Sequence, residues 1–262
     1  MSTSRLLHHD LHGRADGPLL VLGPSLGTST VLWDGHLDAL SSRFRVLRFD
    51  LPGHGGSPTG LLSEPTPGGT TVSDLATLVL ELVDHCGHHE FHYAGVSLGG
   101  AVGAHLAVHH PQRVASLAMV CSSAHFGPAA PWLERASLVR MKGIRPVLGA
   151  SPGRWFADPR TAETPVGRTL LTALAETDPA GYAACCDALA AYDLRAELSR
   201  VSAPTLVVGG SRDVATPFSH AQEIARGVPG ATLKAIDAGH LAVEQPYAVR
   251  EALLAHMAAG LR

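Results

Sequence analysis

Short apolar runs alternate with longer stretches of helical spacing along most of the chain. Residues 18–22, 45–49, 90–94, 114–121, 205–208 and 232–236 are of strand length and bounded by Gly, Pro or polar residues, which predicts strands. Residues 73–86, 98–109 and 247–259 carry apolar positions at helical intervals. Such alternation predicts an α/β fold, a mostly parallel central sheet with helices on both faces. From residue 123 to 200 the rhythm changes to helix-rich sequence without good strands, broken by Pro146, Pro152 and Pro159. That segment predicts a helical cap at 123–200, inserted into a core made of 1–122 and 201–262. No internal repeat is present, and residues 58–71 form the one extended Gly/Pro-rich loop.

A length of 262 residues with 45% hydrophobic content suffices for one large core. A formal net charge of −3 offers no basic stripe, so no nucleic-acid partner is expected. Residues 1–10 lack the apolar centre of a signal peptide and no run approaches a membrane span, so a cytoplasmic location without membrane association is expected. Cys86, Cys121, Cys185 and Cys186 include an adjacent pair poorly suited to bridging, and read as reduced packing thiols. His105 and His109 stand at i, i+4, and His88, His89 and His92 cluster, but neither group brings a Cys or carboxylate in a ligand motif, so no metal is expected.

The most informative stretch is Gly95-Val96-Ser97-Leu98-Gly99-Gly100, which leaves a strand-like run and opens a helical one. In a G-x-S-x-G turn the serine occupies a strained strand-to-helix corner, and glycines on either side carry no Cβ to collide with nearby backbone. The following helix favours negative charge at its N-terminus, and the Leu98 N–H can face a developing oxyanion. A serine hydroxyl needs a base, and the base needs an acid to hold its tautomer. Both follow, in the chain order Ser, Asp, His. The run at 204–210 ends in glycines and leads to Asp213, the candidate acid; the run at 231–236 leads through Asp237-Ala238-Gly239 to His240, the candidate base. Most of the 16 histidines are expected to be solvated or structural, and His240 stands apart because it follows a strand and a Gly. Asp237 is the rival acid but reads as a cap of its own loop. Asp50 also ends a strand; lying before Ser97, it reads as an anchor for its Gly-rich loop. The second oxyanion donor is expected in Gly23-Pro24-Ser25-Leu26-Gly27-Thr28, with the N–H of Leu26 preferred and that of Ser25 the near alternative.

These segments resemble the 3-oxoadipate enol-lactonases of the α/β-hydrolase superfamily over nearly the whole chain. The resemblance lies in Ser25-Leu26-Gly27-Thr28 followed by Trp33, in the D-x-x-G-H-G-x-S segment from Asp50 to Ser57, and in the cap. The cap segments are Trp132-Leu133-Glu134-Arg135, the stretch from Asp178 to Leu189 with its Gly181-Tyr182-Ala183-Ala184-Cys185-Cys186, and Tyr192-Asp193-Leu194-Arg195. The elbow and triad are superfamily features, whereas the loop and cap carry the narrower likeness. Two departures are the long loop at 58–71 and a chain that stops near Arg262, without the decarboxylase domain fused to some relatives.

The resemblance implies an α/β-hydrolase fold with an inserted helical cap. It implies a serine hydrolase, free of cofactors, that opens 3-oxoadipate enol-lactone to 3-oxoadipate through an acyl-enzyme on Ser97, in the β-ketoadipate pathway of aromatic catabolism. The expected partner is a small lactone carrying a carboxylate, which an apolar pocket cannot bury unpaired at tolerable cost. Arg135 is the candidate partner for that carboxylate, because a guanidinium grips it bidentately; a solvated cap arginine is the alternative. Ser25, Trp33 and Trp132 are expected beside the substrate, the tryptophans as apolar walls. An esterase or lactonase for another small substrate, a cofactor-free haloperoxidase or carbon–carbon bond hydrolase, and a lactone-binding protein without turnover share the same triad.

Overall fold

Seven strands make one sheet: β1 His9–Gly13, β2 Leu19–Gly23, β3 Arg45–Phe49, β4 Phe91–Val96, β5 Val114–Val120, β6 Thr205–Gly210 and β7 Thr232–Ile236. The computed structural model describes residues 6–63 and 65–259. Residues 1–5, on which part of the N-terminal reading rests, Glu64 of the 58–71 loop and residues 260–262 lie outside the described residues. The strand order is β1-β3-β2-β4-β5-β6-β7, with β1 antiparallel to β3 and every other pair parallel. Every residue of β2, β4 and β6 is buried. This is why these strands read as near-continuous apolar runs rather than alternating ones: a parallel sheet is covered on both faces.

The helices are α1 Asp34–Ser41, α2 Val72–His85, α3 Leu98–His109, α4 Ala129–Lys142, α5 Arg145–Leu148, α6 Ser151–Trp155, α7 Pro165–Ala175, α8 Pro179–Ala191, α9 Phe218–Gly227 and α10 Pro246–Ala259. Each of the three helices expected from the sequence forms within a residue of its expected start and end. The 58–71 loop closes on a capping box: the Thr71 hydroxyl accepts the Asp74 N–H at 3.2 Å, and the Asp74 carboxylate accepts the Thr71 N–H at 2.7 Å, which starts α2. None of the described helices is long and apolar enough to cross a membrane.

Strand order positions the site. The chain adds β3 on one side of β2 and β4 on the other, so the loops leaving the carboxyl ends of β2 and β4 part and leave a crevice between them. Between β5 and β6 the described elements are helical, α4 to α8 with short 3-10 turns. Helices α4 and α8 pack together and are joined by an ion pair from Arg140 to the buried Asp187. This helical segment is bound to the strand-end loops through main-chain hydrogen bonds. The Asp178 N–H donates to the Gly53 carbonyl at 2.8 Å, Leu194 N–H to Ala124 at 2.8 Å, and Leu241 N–H to Trp155 at 3.1 Å.

Asp50, at the end of β3, ties its glycine-rich loop to a neighbouring one. One carboxylate oxygen accepts the Thr30 N–H at 2.7 Å; the other accepts the Gly56 N–H at 2.9 Å and the His8 Nδ1–H at 2.8 Å. Replacing Asp50 with Ala strands two main-chain donors in a region where water cannot fully replace the acceptor. Asp50→Ala is therefore expected to cost about 2–4 kcal/mol in urea unfolding, and Asp50→Asn, which keeps one acceptor, less. A loss below about 0.5 kcal/mol for Asp50→Ala would show that the loop holds without it.

Candidate active site

Ser97 joins β4 to α3 with φ 56° and ψ −118°, a backbone conformation that a residue with a Cβ rarely adopts. The surroundings hold it there. Its N–H donates to the Val120 carbonyl at 3.0 Å, while its own carbonyl accepts the Ala101 N–H at 3.0 Å and the Ser122 hydroxyl at 2.7 Å. A Cβ on Gly95 would collide with the Gly99 backbone, and one on Gly99 would stand 2.6 Å from the Gly23 carbonyl. Glycine is thus required on both sides of the corner. The Ser97 side chain lines a cavity together with His240. Leu98, as first residue of α3, has no intrahelical acceptor for its N–H.

Across the carboxyl ends of β6 and β7 the His240 Nδ1–H donates to the Asp213 carboxylate at 2.9 Å. That leaves Nε2 as the ring's free lone pair. The same carboxylate accepts the Thr216 hydroxyl at 2.6 Å, and its other oxygen accepts the N–H groups of Ala215 and Thr216 at 2.8 and 2.9 Å. Burial works against ionisation of Asp213, but His240 and the Thr216 donors outweigh it and hold the carboxyl below its ordinary value. Asp237 points elsewhere: it pairs with Arg212 at 2.7 Å on the exposed surface. Thr216 was not singled out from sequence, although Asp followed three residues later by Thr is the pattern of a carboxylate capping its own turn.

The loop after β2 brings Ser25 and Leu26 to the cavity wall. The Thr28 N–H bonds the Ser25 carbonyl at 3.0 Å, and the Gly27 N–H donates to His54 Nε2 at 3.0 Å. Leu26 stands between them at the cavity wall. His54 is fully buried, and burial pulls its pKa down to about 4, so the ring stays neutral and Nε2 can accept; Nδ1–H donates to the Pro52 carbonyl at 3.0 Å. His54 is a second residue that sequence reading passed over. Its signal lay in the Gly-His-Gly of the Asp50–Ser57 segment.

Trp132 and Arg135, one helical turn apart on α4, both reach the cavity, with the guanidinium over the indole at 5.2 Å from the ring centre. The Trp132 Nε1–H donates to the Phe126 carbonyl at 2.9 Å. Trp33 is a correction: it does not border this cavity. It is 1% exposed, its Nε1–H donates to the Gly23 carbonyl at 3.2 Å, and its ring packs in the core against His36. The apolar wall comes instead from Phe126, Trp155, Tyr182 and Leu189 of the helical segment. Arg154 also lines the cavity. Among the described residues no group of three or more His, Cys, Asp or Glu side chains is arranged to hold a metal ion.

Family models described as alpha/beta hydrolase fold and as TAP-like protein match residues 18–142 and 180–261. The chain is 34% identical to 3-oxoadipate enol-lactonase 2 of Acinetobacter baylyi, covering 96% of this chain and 92% of that one. It is 32% identical to a putative carbamate hydrolase of Stutzerimonas stutzeri, covering 96% and 97%. The crystal structure of the enol-lactonase from Burkholderia xenovorans superposes with a TM-score of 0.91 at 32% identity, covering 96% of each chain.

The depressed pKa of Asp213 links stability to pH. The ionised carboxylate is favoured more in the folded than in the unfolded chain, so its contribution is complete above the ordinary carboxylate range, about 4, and is lost as pH falls through the lowered value. Asp213→Asn removes that linkage while keeping an acceptor for the loop N–H groups. Urea unfolding is expected to separate wild type from Asp213→Asn clearly at pH 7, with the gap narrowing towards pH 3. A gap that is constant or widens on acidification would contradict the assignment.

Proposed function

The chain belongs to the α/β-hydrolase superfamily, with 3-oxoadipate enol-lactonases among its relatives, and on that premise we propose that it is a serine hydrolase opening 3-oxoadipate enol-lactone to 3-oxoadipate. The observation that carries this reading is one cavity bordered by Ser97, by His240 in its bond to buried Asp213, and by the guanidinium of Arg135. The first three are the parts of an acyl-transfer site; the fourth suits a substrate with a carboxylate away from the reacting carbonyl.

In this reading His240 Nε2 takes the Ser97 proton as Oγ bonds to the lactone carbonyl carbon. The oxyanion forms between the N–H groups of Leu26 and Leu98; losing one such donor typically costs about 2.7–4 kcal/mol of transition-state stabilisation. Asp213 fixes the ring tautomer and stabilises the imidazolium. When the tetrahedral intermediate collapses, the ring C–O bond breaks and the enol oxygen takes the proton from His240. Ketonisation of that enol makes ring opening hard to reverse. His240 then deprotonates a water that attacks the acyl-enzyme, and Ser97 is regenerated as the acid leaves.

Loss of the ultraviolet absorbance of the enol-lactone, measured beside simple esters, other lactones and a carbamate, tests the substrate. The enol-lactone is expected to give the highest kcat/KM. Preference for the carbamate would move the assignment to the other branch of relatives, and turnover of none would remove the hydrolase reading.

Ser97→Ala and His240→Ala are each expected to lower kcat by several orders of magnitude with the fold intact by circular dichroism. The double variant is expected to lose little more, because the residues act as a unit. Asp213→Asn is expected to cut kcat by about 10⁴, as an amide favours the wrong tautomer, with Asp237→Asn close to wild type. Additive losses in the double variant, or the opposite ranking of the two acids, would break the assignment of roles.

A further inference from the structure

Behind the cap side of the catalytic cavity lies a second chamber of about 330 Å³. The two share a neck formed by Arg135, Arg154, Trp155 and Tyr182. Two of these four carry positive charge. Glu134 lines the second chamber, but among the described residues no carboxylate lies within ion-pairing distance of either guanidinium, whereas arginines nearby in the fold, such as Arg140 and Arg160, are paired with Asp187 and Asp158. Arg135 lies over Trp132, and its charge, close to Tyr182, partly offsets the effect of burial on that hydroxyl. Arg154 is half-buried, and burial, followed by the like charge of Arg135, pulls its pKa below the ordinary guanidinium value. Two partly desolvated like charges facing one cavity raise the energy of the empty site, and an anion between them relieves both the desolvation and the repulsion.

Arg154 is also held in register with the reacting groups. It precedes Trp155, whose carbonyl accepts the Leu241 N–H at 3.1 Å. Two residues further on, the Ala157 N–H donates to the Glu244 carboxylate at 2.6 Å, and the same carboxylate accepts the Gly239 N–H at 3.2 Å. His240 is thus bracketed by two residues whose main chain is bonded to the segment carrying Arg154. A guanidinium mounted on this clamp keeps a fixed relation to the base at the far end of the cavity.

We propose that Arg154 is a specificity-determining residue of this site, binding with Arg135 a carboxylate of the substrate at the neck between the two chambers, so that the enzyme selects anionic lactones and esters over neutral ones. The proposal rests on the hydrolase reading above but not on the identity of the lactone. The neck fixes the carboxylate, the inner cavity takes the acyl carbon, and Trp155 and Tyr182 cover the intervening carbons. Two planar forks suit a single carboxylate with its two oxygens better than one does, and an ammonium in place of either supplies charge without that geometry.

Two measurements test this. The first is the ratio of kcat/KM on the enol-lactone to that on neutral p-nitrophenyl butyrate. The second is the inhibition constant of adipate, a carboxylate without a scissile bond, competing against the neutral ester. Arg154→Ala and Arg154→Gln are expected to lower the ratio and to raise the adipate constant by about tenfold or more, with Arg154→Lys between them and wild type. Arg135→Ala should act in the same direction. Arg160→Ala, at an exposed surface pair, is expected to change neither. An adipate constant unchanged in Arg154→Ala, or no inhibition of the wild type by adipate, overturns the proposal. If the wild type turns over the neutral ester but not the enol-lactone, the substrate assignment fails on its own, and the adipate arm still judges Arg154.

Discussion

The site depends on the contact between the start of α3 and the end of β2, where main chain meets main chain with no side chain between. Gly99 lies so close to Gly23 and Pro24 that a single Cβ would come within 2.6 Å of their backbone. The Tyr93 hydroxyl bonds the Gly99 carbonyl at 3.0 Å and the Trp33 indole bonds the Gly23 carbonyl at 3.2 Å, fixing both sides of the seam. This seam sets the loop bearing Leu26 beside the corner bearing Ser97. The corner conformation itself costs about 1–3 kcal/mol and persists only where the surroundings over-determine it. Here Val120, Ala101 and Ser122 each bond the Ser97 main chain, so the strain is borne by the ends of the central strands.

A single loop, from Asp50 to Ser57, then couples the seam to the helical segment. Asp50 reaches Thr30 and Gly56, His54 reaches Gly27, and the Gly53 carbonyl receives the Asp178 N–H at the start of α8. His54 can serve only while neutral, since its Nε2 accepts a hydrogen bond from the Gly27 amide and a protonated ring has no lone pair to offer. Full burial keeps it so, with a pKa of about 4. Stacking of His54 against Tyr182 of α8, 6.3 Å between ring centres, carries the same coupling through side chains. The oxyanion loop and the cap wall of the cavity are therefore braced by one stretch of main chain.

Much of this was legible in the sequence, for reasons that can be named. Strands buried on both faces announce themselves as apolar runs, as β2, β4 and β6 do, and the bounds of β3 and of the more exposed edge strand β7 also fall where the pattern puts them. The residues 95–100 and 213–240 were legible because their chemistry is local: a glycine-framed corner, and polar residues just past strand ends. β1 was not, because His-Asp-Leu-His-Gly has almost no apolar signal and pairs as an antiparallel edge through main-chain bonds, its Asp10 held by Arg48 of β3 at 2.7 Å. Helices α1 and α9 were passed over among loops. Trp33 was misread because proximity in sequence to the oxyanion loop does not say which way a side chain turns. The cavity wall was the least legible part: Phe126 comes from the loop before α4, Arg154 from α6, and Tyr182 and Leu189 from α8, and only their packing brings them together.

The charge layout links the cap to the chemistry. Beside the cavity the Asp213 carboxylate supports His240, and two guanidiniums, Arg135 and Arg154, line the wall, with Arg154 close enough to feel the field of Asp213. The two guanidiniums therefore oppose each other in a place of reduced dielectric. On the proposed mechanism a substrate carboxylate between them relieves that opposition, and further negative charge appears only as the oxyanion forms, matched by the imidazolium of His240. Each charge that binding or reaction would bring is then met by one of opposite sign, which avoids the steep cost of an uncompensated charge away from water. A neutral ester leaves the guanidiniums repelling each other throughout. On this proposal discrimination arises among the helices between β5 and β6, although the bond is broken at Ser97, and it acts through the free energy of the site before any substrate atom touches the nucleophile.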